Sequence, residues 1–348
     1  MRALVTLTLL SGFLAQGADF RGRARLWVGP GFDSNARREF VSSRIATEPD
    51  AFFFGLAQLD GQLVFGERFR IVGAYDVAGR KFVTQPTEDT IVQSAQLEAT
   101  VAFLKYFQFG LSGRARDRRG AERDYTDLQG GAVLDFLPSA QVDVRASIAA
   151  HRFILWNRFA YSFWGPDGSL TARYRFDRHH SLSAFGSYNP RTYNANALNR
   201  PGPEGTDPNT GVPRFDPVFG AGLSYTYRGP FHVTVGYSYF DQTSNSFGES
   251  VKRHRVSATG GFRLPWQIMV LASITWQPSV FPDGVYLNPE LTIVEEDENV
   301  SSLTLKVVRP LNKWLDLDLR YAGYLGFYPQ NDFVYFRHVV SLGLALTF

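Results

Sequence analysis

Apolar and polar residues alternate along almost the whole chain from about residue 20 onward. The final nine residues show the pattern clearly, with Val340, Leu342, Leu344, Leu346 and Phe348 separated by Ser, Gly, Ala and Thr. Residues 315–321 alternate Leu or Tyr with Asp or Arg in the same way. Because successive side chains of a strand point to opposite faces, these segments predict strands with one apolar and one polar surface.

The chain contains sixteen segments of this kind. Their predicted spans are 20–32, 51–65, 68–79, 90–104, 107–117, 125–136, 140–153, 160–176, 180–188, 217–227, 231–241, 252–263, 266–277, 299–310, 315–328 and 334–348. Tight turns alternate with longer polar loops, predicted at 33–50, 80–89, 118–124, 154–159, 189–216, 242–251, 278–298 and 329–333. This alternation predicts an all-β fold, an antiparallel up-and-down transmembrane β-barrel of about 16 strands, within a range of 14–18.

A soluble all-β protein with an aromatic core is the alternative fold. Aromatic residues make up 15% of the chain. Many of them lie near predicted strand ends, where two interfacial girdles are expected, including Phe52, Phe53, Phe54, Phe163, Trp164 and Tyr335. A sheet in hydrocarbon cannot leave its edge N–H and C=O groups unpaired, so it has to close. These features favour the membrane barrel.

The N-terminus predicts the compartment. Residues 1–17 have the charged start, apolar run and small residues of a signal peptide, and a buried N-terminal helix is the alternative. We then expect residues 18–348 to be a single outer-membrane β-barrel domain, secreted across the inner membrane. No cysteine lies near the predicted cleavage site, so we expect no lipoprotein anchor. The absence of cysteine from the chain excludes a disulfide scaffold and a thiolate metal site.

The leader, the alternating strands and the terminal run Leu344-Ala345-Leu346-Thr347-Phe348 resemble Gram-negative outer-membrane β-barrel proteins, including porins. This resemblance implies that the last strand, ending at Phe348, is read by the barrel-assembly machinery. The element Gly31-Phe32-Asp33-Ser34-Asn35 is similar to one at the first loop of several porin-like barrels, some of which are associated with exopolysaccharide export. The resemblance thus implies periplasmic export partners.

The apolar face should contact lipid, since an Arg or Lys there costs about 2–4 kcal/mol at the bilayer midplane. The opposite face is then the lumen, which a barrel of this size can keep hydrated. The predicted lumen-lining residues are Arg21, Arg23, Arg25, Arg68, Arg70, Arg114, Arg116, Arg145, Arg173, Arg175, Arg253, Arg255, Asp316, Asp318, Arg320 and Arg337. The alternative for any one of them is an ion pair across strands that stiffens the wall.

The loops offer two further candidates. Loop 189–216 is rich in Pro and Gly, so it either folds inward as a constriction or covers the surface. The acidic run 295–298 could hold a divalent cation near lipopolysaccharide phosphates, or it is a hydrated loop.

No catalytic, nucleotide-binding or zinc motif occurs, and the six His are scattered. We therefore expect no enzyme, no cofactor and no metal site. The formal charge of +3 is too balanced to indicate a nucleic-acid partner.

The main functional hypothesis is an Arg-lined channel or conduit for polar or anionic solutes, or for envelope polymers such as polysaccharide. A plugged barrel that anchors a periplasmic machine is the second hypothesis, and an outer-membrane enzyme the third. The expected partners are outer-membrane lipid and lipopolysaccharide.

Overall fold

The computed structural model describes residues 18–38, 47–66, 68–120, 124–200, 202, 208–283, 300–328 and 333–348. The predicted signal peptide, 1–17, and the acidic run 295–298 lie outside the described residues. Among the described residues, no helix is long and apolar enough to cross a membrane.

Sixteen strands form the described part of the chain, and three short 3-10 turns are the other regular elements there. The strand Met269–Trp276 is interrupted for two residues and resumes as Ser279–Val280, which still pairs with the preceding strand, Val251–Arg263. The strands are β1 Ala18–Asp33, β2 Asp50–Phe65, β3 Phe69–Phe82, β4 Thr90–Leu104, β5 Phe107–Arg119, β6 Tyr125–Phe136, β7 Val142–Leu155, β8 Phe163–Arg175, β9 His180–Leu198, β10 Asn209–Arg228, β11 Phe231–Gln242, β12 Val251–Arg263, β13 Met269–Trp276, β14 Ser301–Pro310, β15 Leu315–Tyr328 and β16 Phe333–Thr347.

Each strand pairs antiparallel with the next, and the sheet closes on itself. The closing pair is β1 with β16, where Arg25 lies opposite Thr347 and Val28 opposite Leu344. Every strand therefore has two neighbours, which satisfies the backbone hydrogen bonds that hydrocarbon leaves without water. The predicted up-and-down barrel of 16 strands is confirmed.

Most predicted spans agree with the structure within three residues, and β4, β6 and β15 agree at both ends. The prediction was wrong for β9 and β10, which continue through most of the segment assigned to loop 189–216. The two strands pair as far as Leu198 and Asn209. Pro190 indicated a loop, but it lies in register opposite Pro217, the first residue of the predicted strand 217–227. Alternation persists beyond them, with Tyr193, Arg214 and Asp216 buried, so the connection is only 199–208.

The outer surface is apolar, as the alternation predicted. In β1 the side chains of Phe20, Leu26, Val28 and Phe32 are all more than two-fifths exposed. The same holds on the closing strand for Leu342 and Leu344. A soluble protein rarely exposes so many apolar side chains to water. They are the expected surface in lipid.

Several aromatic residues assigned to the girdles face inward instead. Phe53 is 65% exposed, but its neighbours Phe52 and Phe54 are buried and pack with Trp27 and Phe82. Phe163 and Tyr335 are buried as well. The girdle prediction was wrong for the four buried residues, because adjacent residues of a strand point to opposite faces and consecutive aromatic residues cannot all face lipid.

The short turns are stabilised by their own polar groups. Asp177 follows β8, and its carboxylate accepts the backbone N–H groups of His179 at 2.7 Å and His180 at 2.8 Å. The hydrogen bond from His179 is the main reason that the pKa of Asp177 lies below its usual value. Such an Asx turn fixes a tight reversal between adjacent strands.

Candidate functional site: the lumen

The strand register decides which side chains point into the barrel. In β1 the odd-numbered residues lie opposite the large exposed apolar set, and Arg21, Arg23 and Trp27 line internal cavities. Following the pairing from strand to strand places the predicted residues on the interior side. They are Arg21, Arg23, Arg25, Arg70, Arg114, Arg116, Arg145, Arg173, Arg175, Arg253, Arg255, Asp316, Asp318, Arg320 and Arg337.

Arg68 is the exception among the predicted residues. It lies in the turn before β3, which begins at Phe69 rather than at residue 68. The strand register therefore does not place Arg68 in the wall of the lumen. The physical reason is that Arg68 belongs to the tight turn between β2 and β3, so its side chain is not part of the alternation of β3.

Many of the interior arginines form ion pairs with acids on neighbouring strands. Arg23 Nη2 lies 3.1 Å from Asp60 Oδ2, and Arg114 Nη2 lies 3.1 Å from Asp127 Oδ2. Arg145 on β7 pairs with Glu98 on β4, three strands away, and its Nη1 lies 3.8 Å from Asp135 Oδ1 on the neighbouring β6. The alternative of cross-strand pairing thus applies to these positions, although Arg23 and Arg114 stay at least half exposed and can still contact a solute.

Asp318 holds three cations at the wall formed by β1, β14 and β15. Its carboxylate lies 3.2 Å from Arg25 Nη2, 3.2 Å from Lys306 Nζ and 2.9 Å from Arg320 Nε. Asp318 is fully buried beneath them, whereas each cation keeps between a fifth and a third of its side chain exposed. One carboxylate cannot neutralise three cations, so this wall presents positive charge to the lumen.

The element Gly31–Asn35 joins the two closing strands. Asp33 is fully buried and accepts Arg337 Nη2 at 2.6 Å and Arg337 Nε at 3.0 Å. Asn35 donates its side-chain N–H to the Phe336 carbonyl at 3.1 Å. A side chain at position 31 would overlap the ring of Phe52, so glycine is needed there. These contacts therefore stabilise the seam, which is the pairing of β1 with β16 that closes the barrel.

A second buried cluster lies at the end of the barrel that carries the longer connections. Arg214 contacts both carboxylate oxygens of Asp216, and its Nη1 lies 2.9 Å from Glu249. The ring of Tyr193 lies 4.1 Å below the guanidinium. Burial raises the pKa of Glu249, in the loop before β12, and the nearby Arg214 offsets this only partly.

The interior holds a cavity of about 680 Å³ with an unusual charge balance, which we call the arginine chamber. One wall is aromatic and contains Trp27, Phe52, Phe54 and Tyr324. Asp76 is the single carboxylate among its described lining residues. The lining arginines are Arg38, Arg80, Arg116, Arg118, Arg255 and Arg320.

A second cavity, of about 780 Å³, has mixed charge. Arg21, Arg23, Arg70 and Arg114 line it together with Asp60, Glu98 and Asp167. Gln, Ser, Gly and apolar residues form the remaining wall. Four arginines meet three carboxylates in this cavity, whereas six arginines meet one carboxylate in the lining of the arginine chamber.

Sequence reasoning missed three of the chamber arginines. Arg80 and Arg118 fell into predicted loops, although they continue the alternation of Asp76 in β3 and of Arg116 in β5. That alternation was the available signal. Arg38 lies in the first loop, and no pattern indicated that residues 34–38 turn over the interior.

In the part of the chain that the structure describes, no group of three His, Asp or Glu side chains is placed to hold a metal ion. The charged side chains of the lumen can bind ions of opposite charge and repel ions of the same charge. Guanidinium groups attract oxyanions and offer them paired N–H donors.

A closed antiparallel barrel with an apolar exterior and a charged interior is the architecture of outer-membrane β-barrel proteins. No family model matches the chain. No match is found among curated proteins.

Solved structures with a similar fold are outer-membrane barrels. A loop L8 deletion mutant of OmpT from Vibrio cholerae is 8% identical with a TM-score of 0.49, covering 95% of this chain and 99% of that one. A bacterial polysaccharide outer membrane secretin is 8% identical with a TM-score of 0.46, covering 94% and 98%. A mutant of the TodX monoaromatic hydrocarbon channel is 11% identical with a TM-score of 0.40, covering 94% and 90%. At these identities the likeness concerns the fold.

Proposed function

We propose that this chain forms a hydrated conduit across the Gram-negative outer membrane for polar solutes, with a preference for anions. The solutes are small anions or envelope polymers such as an anionic polysaccharide. The observation that carries the proposal is the arginine chamber, whose described lining has one carboxylate among its arginines. A narrow, low-dielectric passage lined by one sign of charge concentrates ions of the other sign.

The arrangement of ion pairs supports the same direction. Asp318 is fully buried, whereas the cations paired with it keep between a fifth and a third of their side chains exposed, so the charge that meets the passage at this wall is the cation. Arg320 lies over the ring of Trp27 at 3.4 Å, which fixes its guanidinium beside the chamber.

The experiment is conductance and ion selectivity of the purified protein in a planar bilayer with a KCl gradient. We expect open channels whose reversal potential shows that chloride is more permeant than potassium. Arg116→Gln should lower the anion-to-cation permeability ratio by about threefold, since one charge about 6 Å away in water contributes roughly 0.7 kcal/mol. Arg178→Gln removes the same charge from an exposed turn and should change nothing. Cation selectivity in the unmodified protein would refute the proposal.

A second candidate, a closed barrel that anchors a periplasmic machine, is favoured by the first loop. Ala36 is 2% exposed and packs on the inward cluster of Trp27, Phe52 and Phe54, so this loop takes up part of the interior. Absence of conductance, together with stoichiometric co-purification of periplasmic proteins, would favour this candidate over the conduit.

A further inference from the structure

Arg38 carries a donor inside the barrel that no described residue satisfies. Its side chain is only 8% exposed, yet Nη1 has no hydrogen-bond partner. Buried donors are almost always paired with protein or ordered water, so an orphan buried guanidinium N–H marks a place where an acceptor belongs.

Arg80 is half-buried and lines the same chamber. Within the described ranges, its side chain forms no hydrogen bond or ion pair, and its guanidinium is 5.4 Å from the ring of Phe52. The charges of Arg38 and Arg337 repel it, and Asp33 attracts it. Asp33 already accepts several N–H groups of Arg337. The carboxylate of Asp33 is therefore already paired with Arg337 and does not form an ion pair with Arg80.

The chain satisfies a buried guanidinium elsewhere by supplying its own acids. Arg214 is as buried as Arg38, and it contacts Asp216 through two nitrogen atoms and Glu249 through the third. Around Arg38 and Arg80 the described lining offers only Asp76. Among the described residues, Arg38 and Arg80 therefore lack the paired acids that Arg214 has, whereas Arg320 in the same chamber is paired with Asp318.

We propose that the arginine chamber is a binding site for an oxyanion group, a phosphate or a carboxylate, carried by the solute that the conduit passes. Arg38 and Arg80 present planar forks to it, and such forks bind two oxygen atoms of one anion at once. A volume of about 680 Å³ is within the range of small-molecule sites. The inference rests on the proposed function, because it makes the conduit a saturable pathway instead of a simple pore.

The test is calorimetric titration of the purified protein in detergent with inorganic phosphate and, separately, with succinate, both in a chloride background. We expect saturable binding of at least one probe. Arg80→Gln and Arg38→Gln should each weaken it by about tenfold through loss of charge-assisted hydrogen bonds. Arg80→Lys keeps the charge but not the fork, and should give an intermediate loss. The relative affinities of phosphate and succinate identify which oxyanion the site prefers.

Arg173→Gln is the matched control. Arg173 is an interior arginine that lies outside the chamber, 4.0 Å from Asp143, and its loss should leave binding unchanged. Heat-dependent migration on a gel shows whether each variant has folded. If neither probe binds saturably, or if Arg173→Gln weakens binding as much as Arg80→Gln, the inference is wrong.

The outcomes separate this inference from the proposed function. Saturable binding without conductance keeps the site and rejects the conduit. Anion-selective conductance without saturable binding keeps the conduit and rejects the site.

Discussion

The buried ion pair at the barrel seam gives the sharpest stability prediction. Asp33 and the Arg337 side chain are 0% and 2% exposed, and three nitrogen-to-oxygen contacts of 2.6–3.0 Å join them. Asp33→Asn leaves the guanidinium charged and buried without its counter-charge. Removing one partner of such a pair typically costs about 3–5 kcal/mol, whereas an exposed pair contributes about 0–1 kcal/mol.

The matched control is Asp19→Asn, because Asp19 and Arg21 form a pair of similar distance, 3.1 Å, with side chains 60% and 79% exposed. The free energy of unfolding is measured by guanidinium titration in lipid vesicles, with the fluorescence of the six Trp as the signal. We expect a loss of about 3–5 kcal/mol for Asp33→Asn and less than about 1 kcal/mol for the control.

The double variant Asp33→Asn/Arg337→Gln tests the cause. It removes both charges, so it should regain a large part of the loss, and the coupling energy of the double-mutant cycle should exceed about 1 kcal/mol. If Asp33→Asn falls within about 1 kcal/mol of the control, the buried pair does not hold the seam.

Two further predictions concern packing and pH. Gly29→Ala should destabilise the barrel by about 1–3 kcal/mol, because a Cβ there would overlap the Leu342 carbonyl oxygen. A Cβ at position 130 would meet open space, so Gly130→Ala should leave the free energy of unfolding unchanged in the same titration. Burial raises the pKa of Glu249 in the folded protein, so the folded state binds its proton more tightly than the unfolded state. Relative to Glu249→Gln, the unmodified protein should therefore lose stability as the pH rises from about 4 to 7, and an unchanged or opposite difference would contradict this.

The barrel fold could be predicted from the sequence because each strand carries its own local signal. Alternation predicted β4 and β6 at both ends, and it placed Arg116 and Asp318 on the interior side. It failed at β9 and β10, where proline and asparagine normally end a strand. It also failed at Arg80, because the polar residues after Gly79 were assigned to a loop, although β3 continues to Phe82.

The chamber itself could not be predicted, because it depends on contacts between residues far apart in the chain. Arg38 and Arg320 line one cavity although 282 positions separate them in the numbering. The pairing of Asp33 with Arg337 depends on barrel closure. Period-two patterning says which face a side chain takes, but not which partner it meets across the lumen or the seam.

Solvent access to alternate residues of β14 tests the central claim most directly. The chain has no cysteine, so single cysteines can be introduced without background. Ser302 and Thr304 line the arginine chamber, while Leu303 and Leu305 are 45% and 40% exposed on the outer face. In lipid vesicles, a charged thiosulfonate should label Ser302→Cys and Thr304→Cys at least roughly tenfold faster than Leu303→Cys and Leu305→Cys, since the reactive thiolate forms where water reaches it. Equal rates, or faster labelling of the leucine positions, would contradict a barrel with lipid outside and water inside.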